Sequence, residues 1–109
     1  MIHSVDLSSN EVLVGQSITI EIEADSDIRV SIGCFVDKPP PPRFKGCAEC
    51  SVQVVQSGQP FRLTPGRDTW RTDGGGYRIV ATSSDGDSRT VIVRVLRGAA
   101  GASGAQMGA

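Results

Sequence analysis

The chain is poor in the residues that build most catalytic centres. Its 109 residues include one histidine, His3, and aromatic residues make up 5% of the sequence. No glycine-rich loop precedes a helical pattern, and no pair of carboxylates lies in an apolar context, so neither phosphate binding nor general acid–base chemistry is indicated. The sequence therefore predicts a protein that is not an enzyme and needs no cofactor.

Net charge and long apolar runs are also lacking. The formal net charge is -1 at pH 7, so no bulk attraction to nucleic acid or to an anionic membrane is predicted. No apolar stretch approaches the length of a transmembrane helix, and the residues after Met1 have a strand pattern instead of a secretory signal. We expect protein partners, no nucleic acid and no membrane, and synthesis into the cytoplasm if Met1 is the natural start.

The charges that are present are unevenly distributed. Residues 1–28 contain six acidic residues and no Lys or Arg, whereas most arginines lie in the second half of the chain. In an antiparallel sandwich the first and last strands are neighbours, and opposite charges across strands are mildly stabilising. Head-to-tail attraction between copies of the chain is the other interpretation.

Alternation of apolar and polar residues is the main pattern. In the segment 17–24, three isoleucines alternate with polar residues, as in a strand with one buried face. Asp85-Gly86 separates two such runs and predicts a two-residue hairpin turn. No window has helical periodicity. The predicted strands are Val5–Ser8, Val12–Val14, Ser17–Ala24, Ile28–Val36, Ser51–Val55, one within Phe61–Arg71, Tyr77–Ser83 and Arg89–Leu96. They predict an all-β domain, either a sandwich or a small closed barrel.

One segment resembles a family motif. Tyr77–Ala81 (YRIVA) is similar to the Tyr-x-Cys-x-Ala motif in strand F of immunoglobulin-like domains, with Ile79 at the second core-cysteine position and Ile20 at the matching position of strand B. The tryptophan of strand C is missing. The resemblance covers roughly residues 4–97 and implies an immunoglobulin-like antiparallel β-sandwich of about seven strands. Isoleucine at both disulfide positions is common in bacterial and phage members of the family.

The C-terminal segment differs in composition from the domain. Residues 98–109 (GAAGASGAQMGA) are rich in Gly and Ala and have little to bury. We therefore divide the chain into a sandwich at 1–97 and an extended C-terminal arm at 98–109. A compact sandwich with arms resembles the small immunoglobulin-like proteins of tailed-phage virions.

That resemblance implies a function. It implies a structural protein of a virion, a capsid decoration, cement or tail-associated component, bound to other subunits as a homo-oligomer or on a shell lattice. The alternative is an adhesion, spacer or carbohydrate- or protein-binding module of a bacterial secreted or surface protein, with an extracellular or cell-surface location.

The segment 37–50 (DKPPPPRFKGCAEC) is the part least similar to the family. Four consecutive prolines favour an extended polyproline II conformation that is ordered at low entropic cost on binding. Phe44 supplies an aromatic anchor between two cations. A predicted protein interface therefore comprises Pro39, Pro40, Pro41, Pro42, Arg43, Phe44 and Lys45. A stiff solvent-exposed loop is the structural alternative.

Three cysteines allow several interpretations. Cys47 and Cys50 have the spacing of zinc ligands, and Cys34 with His3 would complete a set of four. In the implied topology, however, His3 starts at the end of the sandwich opposite the cysteine loop, while Cys34 has the parity of the buried residues of its strand. A disulfide from Cys34 to Cys47 or Cys50, and three reduced cysteines, are the other possibilities.

Two acidic loops are candidates for a calcium site. The implied topology places the loops 25–27 and 85–88 at the end where the N-terminus begins. Their carboxylates are the hard oxygen ligands that calcium prefers, and they belong to Asp25, Asp27, Asp85 and Asp87. Aspartate is also a common turn residue, and neither loop has the glycine-spaced pattern of a dedicated calcium loop.

Overall fold

The computed structural model describes residues 1–37, 39–70 and 74–97, and these form nine β-strands and no helix. The strands are β1 (Ile2–Leu7), β2 (Glu11–Leu13), β3 (Ile18–Ala24), β4 (Ile28–Val36), β5 (Arg43–Lys45), β6 (Ser51–Val55), β7 (Phe61–Leu63), β8 (Gly75–Ser83) and β9 (Ser88–Leu96). The predicted all-β class is confirmed. The number of strands in the described ranges exceeds the seven or so that were expected, and the predicted arm at 98–109 lies outside the described residues.

The strands form two sheets that pack as a sandwich. One sheet has the order β1-β3-β7, and the other has the order β2-β9-β8-β4-β5, with β6 also paired to β4. All pairs are antiparallel except β2 with β9. Strands β5 and β6 share one edge of β4, because β5 pairs with its last residues and β6 with its first. This arrangement brings the two ends of the proline and cysteine segment to the same strand.

The core lies between the sheets and is rich in β-branched residues. In β3, Ile18, Ile20 and Ile22 are buried, and the polar residues between them are exposed or half-buried, as the alternation predicts. Ile20 and Ile79 are 0% and 1% exposed, so both predicted core-cysteine positions are in the apolar interior. Each such side chain stabilises the fold by about 1.5–3 kcal/mol on burial.

Trp70 is a core residue that the sequence pattern did not reveal. It follows β7 and is 2% exposed. A Cβ on Gly75 would lie 2.7 Å from the Trp70 ring and would overlap the carbonyl oxygen of Phe35. The indole therefore enters the core where the start of β8 has no side chain.

The β8–β9 hairpin is one residue longer than predicted. The Ser83 amide donates to the Asp87 carbonyl and the Gly86 amide to the Ser83 carbonyl, so the loop comprises residues 84–86. Gly86 has φ of 90°, the left-handed conformation that a three-residue hairpin loop needs at its last position. The prediction of a two-residue Asp85-Gly86 turn is therefore wrong, because Ser84 also belongs to the loop.

Candidate functional site

The outer face of the larger sheet carries apolar side chains that the core does not cover. Phe44 is 62% exposed, Val54 69%, Val52 60% and Ile92 43%. Strand register puts them on one face, since Phe44 is opposite Phe35, Val52 opposite Ser31, Val54 opposite Arg29 and Ile92 opposite Arg78. Several exposed apolar residues on one sheet face are typical of a contact surface. We call this face the β4–β8 outer face.

Arginine side chains cover part of these aromatic groups. The Arg78 guanidinium lies 5.6 Å from the centre of the Phe44 ring, and that of Arg94 lies 5.8 Å from the Phe35 ring. Arg94 also forms an ion pair of 2.8 Å with Asp37. Arg29 and Arg78 have outward positions on this face and form no ion pair among the residues that the structure describes. The surface is therefore both apolar and cationic.

A pocket lies where the proline segment meets the sheet. It has a volume of about 170 Å³ and is lined by Phe35, Pro42, Arg43, Phe44, Arg78 and Ile92. Three residues of the predicted interface are thus brought together with three residues from other strands.

The other residues of the predicted interface do not line this pocket. Pro39, Pro40 and Pro41 are exposed, and the Pro39 carbonyl accepts a hydrogen bond of 3.1 Å from Arg43. Lys45 is half-buried. Its Nζ donates a hydrogen bond to the Thr69 carbonyl and lies 4.6 Å from the centre of the Trp70 ring. Lys45 is therefore a packing residue of the sandwich end.

The outer face of the smaller sheet has the opposite charge. Asp6 is directly opposite Glu21, and Glu23 lies two residues further along the same strand. Like charges directly opposite on one sheet face are destabilising. Arg62, opposite Thr19, is the nearby cation of this sheet, and no ion pair to these acids occurs in the described ranges. The three acids therefore form an acidic stripe on the side of the sandwich away from the β4–β8 outer face.

The three cysteines converge at one end of the sandwich. Their sulfur atoms lie within 4.8 Å of one another. Cys34 is in the core part of β4, 0% exposed, and Cys47 and Cys50 are half-buried in the turn between β5 and β6. The Cα atoms are 6.4 Å apart for Cys34 and Cys47 and 5.4 Å apart for Cys47 and Cys50, both within the disulfide range. The structure thus brings together every cysteine that the sequence predicts for a disulfide or a metal site.

His3 does not join these cysteines. Its Nε2 lies 2.5 Å from the Asp25 carboxylate, next to the strand end at which Ile2 pairs with Ala24. Cys34 lies near the far end of β4, opposite Tyr77 and Lys45. His3 is therefore not placed to complete a four-ligand set, as the implied topology predicts.

A buried polar chain lies beside the cysteine turn, and the sequence did not predict it. The Trp70 indole donates to the Tyr77 hydroxyl at 2.8 Å, and that hydroxyl donates to the Glu49 carboxylate at 2.8 Å. Glu49 also accepts from the Thr69 hydroxyl at 3.1 Å. Burial of the phenol raises the pKa of Tyr77. A buried tyrosine needs a partner for its hydroxyl, but no pattern in the sequence identifies Glu49, 28 positions away, as that partner.

The acidic loops meet at the N-terminal end, and their carboxylates have partners there. The Ser26 and Ser84 hydroxyls are 2.8 Å apart, which joins the loops. The Asp87 carboxylate accepts from the Ile2 amide, and the Asp85 carboxylate accepts from the Met1 ammonium. This ammonium, the Ser83 hydroxyl and the Asp87 amide hold the pKa of Asp85 well below its usual range. Asp27 is exposed, and the calcium site stays a prediction.

The chain matches no protein-family model, and no curated protein is significantly similar to it. Within the described ranges, no helix has the length and hydrophobicity needed to span a membrane.

Proposed function

We propose that this protein is a non-enzymatic structural module that attaches to a larger protein assembly through the β4–β8 outer face and the adjoining proline segment. The observation that carries this proposal is the exposed apolar and cationic surface around Phe44. Exposed aromatic groups with neighbouring arginines are typical of protein interfaces. The outer face of the smaller sheet carries the opposite, negative charge in its acidic stripe.

Copies of the chain are the neighbours that this surface fits best. The acidic stripe of Asp6, Glu21 and Glu23 is opposite in charge to Arg29 and Arg78 on the β4–β8 outer face and to Arg43 at the adjoining pocket. The two surfaces lie on different sheets, so one copy can use its cationic face on the acidic face of the next. Contact of this kind also relieves the repulsion between Asp6 and Glu21.

The domain type proposed here is an immunoglobulin-like sandwich. In support, β1, β3 and β7 take the places of strands A, B and E, and β4, β8 and β9 those of strands C, F and G. The burial of Tyr77 near the start of β8 agrees with the family motif, whereas its hydroxyl donates to the Glu49 carboxylate and not to the backbone as in the family. The resemblance to small virion proteins favours a capsid decoration, cement or tail-associated role, with a virion as the location. A C-terminal arm at 98–109 is part of this proposal.

The alternative is an adhesion or spacer module of a secreted or surface protein. The pocket lined by Phe35, Phe44 and Arg78 favours it, since a peptide or carbohydrate ligand can bind in such a depression. A module of this kind is a stable monomer.

The mass in solution separates the two proposals. We expect the average mass of the full chain, measured by light scattering or sedimentation, to rise with protein concentration and to fall when salt is added. The variant Arg78→Gln should associate more weakly, whereas the matched control Arg67→Gln, in the turn after β7, should behave as the wild type. A monomer at every concentration contradicts self-attachment and favours the ligand-binding module.

A further inference from the structure

The cysteine cluster has three members, and a disulfide joins only two of them, so one cysteine remains a thiol. The Cα atom of Cys47 lies 6.4 Å from that of Cys34 and 5.4 Å from that of Cys50, so the backbone allows a disulfide to either neighbour. A sulfur atom forms one disulfide at a time, so pairing Cys47 with either neighbour leaves the other as a thiol. Because all three sulfurs lie within 4.8 Å, that thiol is always beside the disulfide.

We propose that the three cysteines form a thiol–disulfide exchange site in which Cys47 alternates between Cys34 and Cys50. In the forward step the Cys50 thiolate attacks the Cys47 sulfur of the Cys34–Cys47 disulfide. The Cys47–Cys50 bond forms, the Cys34–Cys47 bond breaks, and Cys34 leaves as a thiolate that takes up a proton. The exchange consumes no oxidant. The one disulfide is formed beforehand by a small-molecule disulfide such as oxidised glutathione, which is reduced to two thiols.

Separate parts of the fold hold the reacting groups. Cys34 is fixed in β4 between its partners on β5 and β8. The turn that contains Cys47 and Cys50 is closed by a hydrogen bond of 3.3 Å, which the Cys50 amide donates to the Cys47 carbonyl. The Glu49 side chain ties the same turn to Tyr77 and Thr69. These contacts do not involve sulfur, so the turn stays in place whichever disulfide is present.

The two states differ in which thiol a reagent can reach. Cys50 is half-buried and is the thiol of the Cys34–Cys47 state. Cys34 is 0% exposed and is the thiol of the Cys47–Cys50 state. The site is thus a modification site for thiol-reactive compounds whose reactive form is Cys50. The Cys34–Cys47 state also ties the β5 hairpin to β4. The exchange does not depend on the proposed function.

Two alkylation experiments on the oxidised full chain test the exchange. In the first, acid stops the exchange, the protein is denatured, and the free thiol is alkylated and located by peptide mass spectrometry. We expect label on both Cys34 and Cys50 and none on Cys47. In the second, a slow reagent is added to the native protein at mildly alkaline pH, where thiolate is present. As the Cys50 thiol is alkylated, exchange converts the remaining molecules to the Cys34–Cys47 state. We therefore expect all of the label on Cys50 and none on Cys34.

Variants give the matched controls. Cys50→Ala should hold the Cys34–Cys47 disulfide, and Cys34→Ala should hold the Cys47–Cys50 disulfide, each with no free thiol. Circular dichroism of both variants checks that they fold. If either folded variant keeps two free thiols after oxidation, the shared role of Cys47 is contradicted.

Three results would overturn the proposal. One is a trapped free thiol confined to a single residue in the wild type. Another is a fraction of Cys34 thiol that native labelling never converts to Cys50 label, since the two states then do not interchange. The third is a zinc ion retained with three alkylatable cysteines after purification and oxidation, measured by native mass spectrometry, because the cluster then serves as a metal site.

Discussion

The two outer faces of the sandwich differ in charge and in apolar character, although the strands of both sheets alternate buried and outward-facing residues in the same way. On the smaller sheet, β3 alternates buried isoleucines with Thr19, Glu21 and Glu23. On the larger sheet, β4 alternates buried residues with Arg29, Ser31 and Phe35. The core constrains the inward positions of both strands in the same way, but it leaves the outward positions free. The acidic stripe and the apolar, cationic β4–β8 outer face are therefore not required by the core.

The largest expected effect comes from an inward position. Ile20→Ala removes a fully buried side chain and should lower the free energy of unfolding by about 2–5 kcal/mol, because a cavity remains. The matched control is Thr19→Ala, which removes its exposed neighbour and should cost less than about 1 kcal/mol. Denaturant unfolding measures both. Equal losses would contradict the assignment of inward and outward faces.

A smaller effect is expected at the polar chain beside the cysteine turn. Glu49→Ala leaves the buried Tyr77 hydroxyl without its acceptor and should lower the free energy of unfolding by about 1–3 kcal/mol. Glu49→Gln keeps an oxygen acceptor and should lose less. Thermal unfolding of the two variants under reducing conditions separates this contribution from that of a disulfide. Equal stability of the two variants would show that the Tyr77 bond contributes little.

The polar chain also predicts a pH dependence. The pKa of Tyr77 is raised in the folded protein because the phenol is buried. Its contribution to stability is therefore fully present below the unfolded pKa of about 10 and is lost as pH rises beyond it, by at most about 1.4 kcal/mol per pH unit. Tyr77 is the one tyrosine of the chain, so tyrosinate absorbance and tryptophan fluorescence can be followed together. Ionisation of Tyr77 well before unfolding would contradict the raised pKa.

The smallest effect on stability is expected on the β4–β8 outer face. Phe44→Ser removes an exposed ring and should change the free energy of unfolding by about 0.5 kcal/mol or less. The same change should weaken self-association clearly, because the ring lies at the centre of the proposed contact. Unfolding curves and concentration-dependent mass give the two readings. A large loss of stability with unchanged association would make Phe44 a structural residue.

The sequence predicted much of the sandwich because most of its strands alternate clearly. The bounds of β4 and β6 agree with the prediction, and those of β3 and β9 differ by one residue at the N-terminal end. Strand β5 was missed because three residues after a proline run have no periodicity of their own and form a strand only by pairing with β4.

The candidate site was predictable only in part, for the same reason. Phe44 and Arg43 stand out in the sequence, but Phe35, Arg78 and Ile92 join them through the register of distant strands. The convergence of Cys34 with Cys47 and Cys50 likewise depends on β5 and β6 sharing one edge of β4. Pairing between strands far apart in the sequence leaves no local pattern.

The most direct test of the account mixes two variants, each with one face neutralised. Arg29→Gln with Arg78→Gln keeps the acidic stripe, and Asp6→Asn with Glu21→Gln keeps the cationic face. Each variant alone should be monomeric at concentrations where the wild type associates, and an equimolar mixture should form a heterodimer in sedimentation velocity, since one intact face of each kind is present. If the mixture stays monomeric while the wild type associates, the two faces do not bind each other, and the central claim is contradicted.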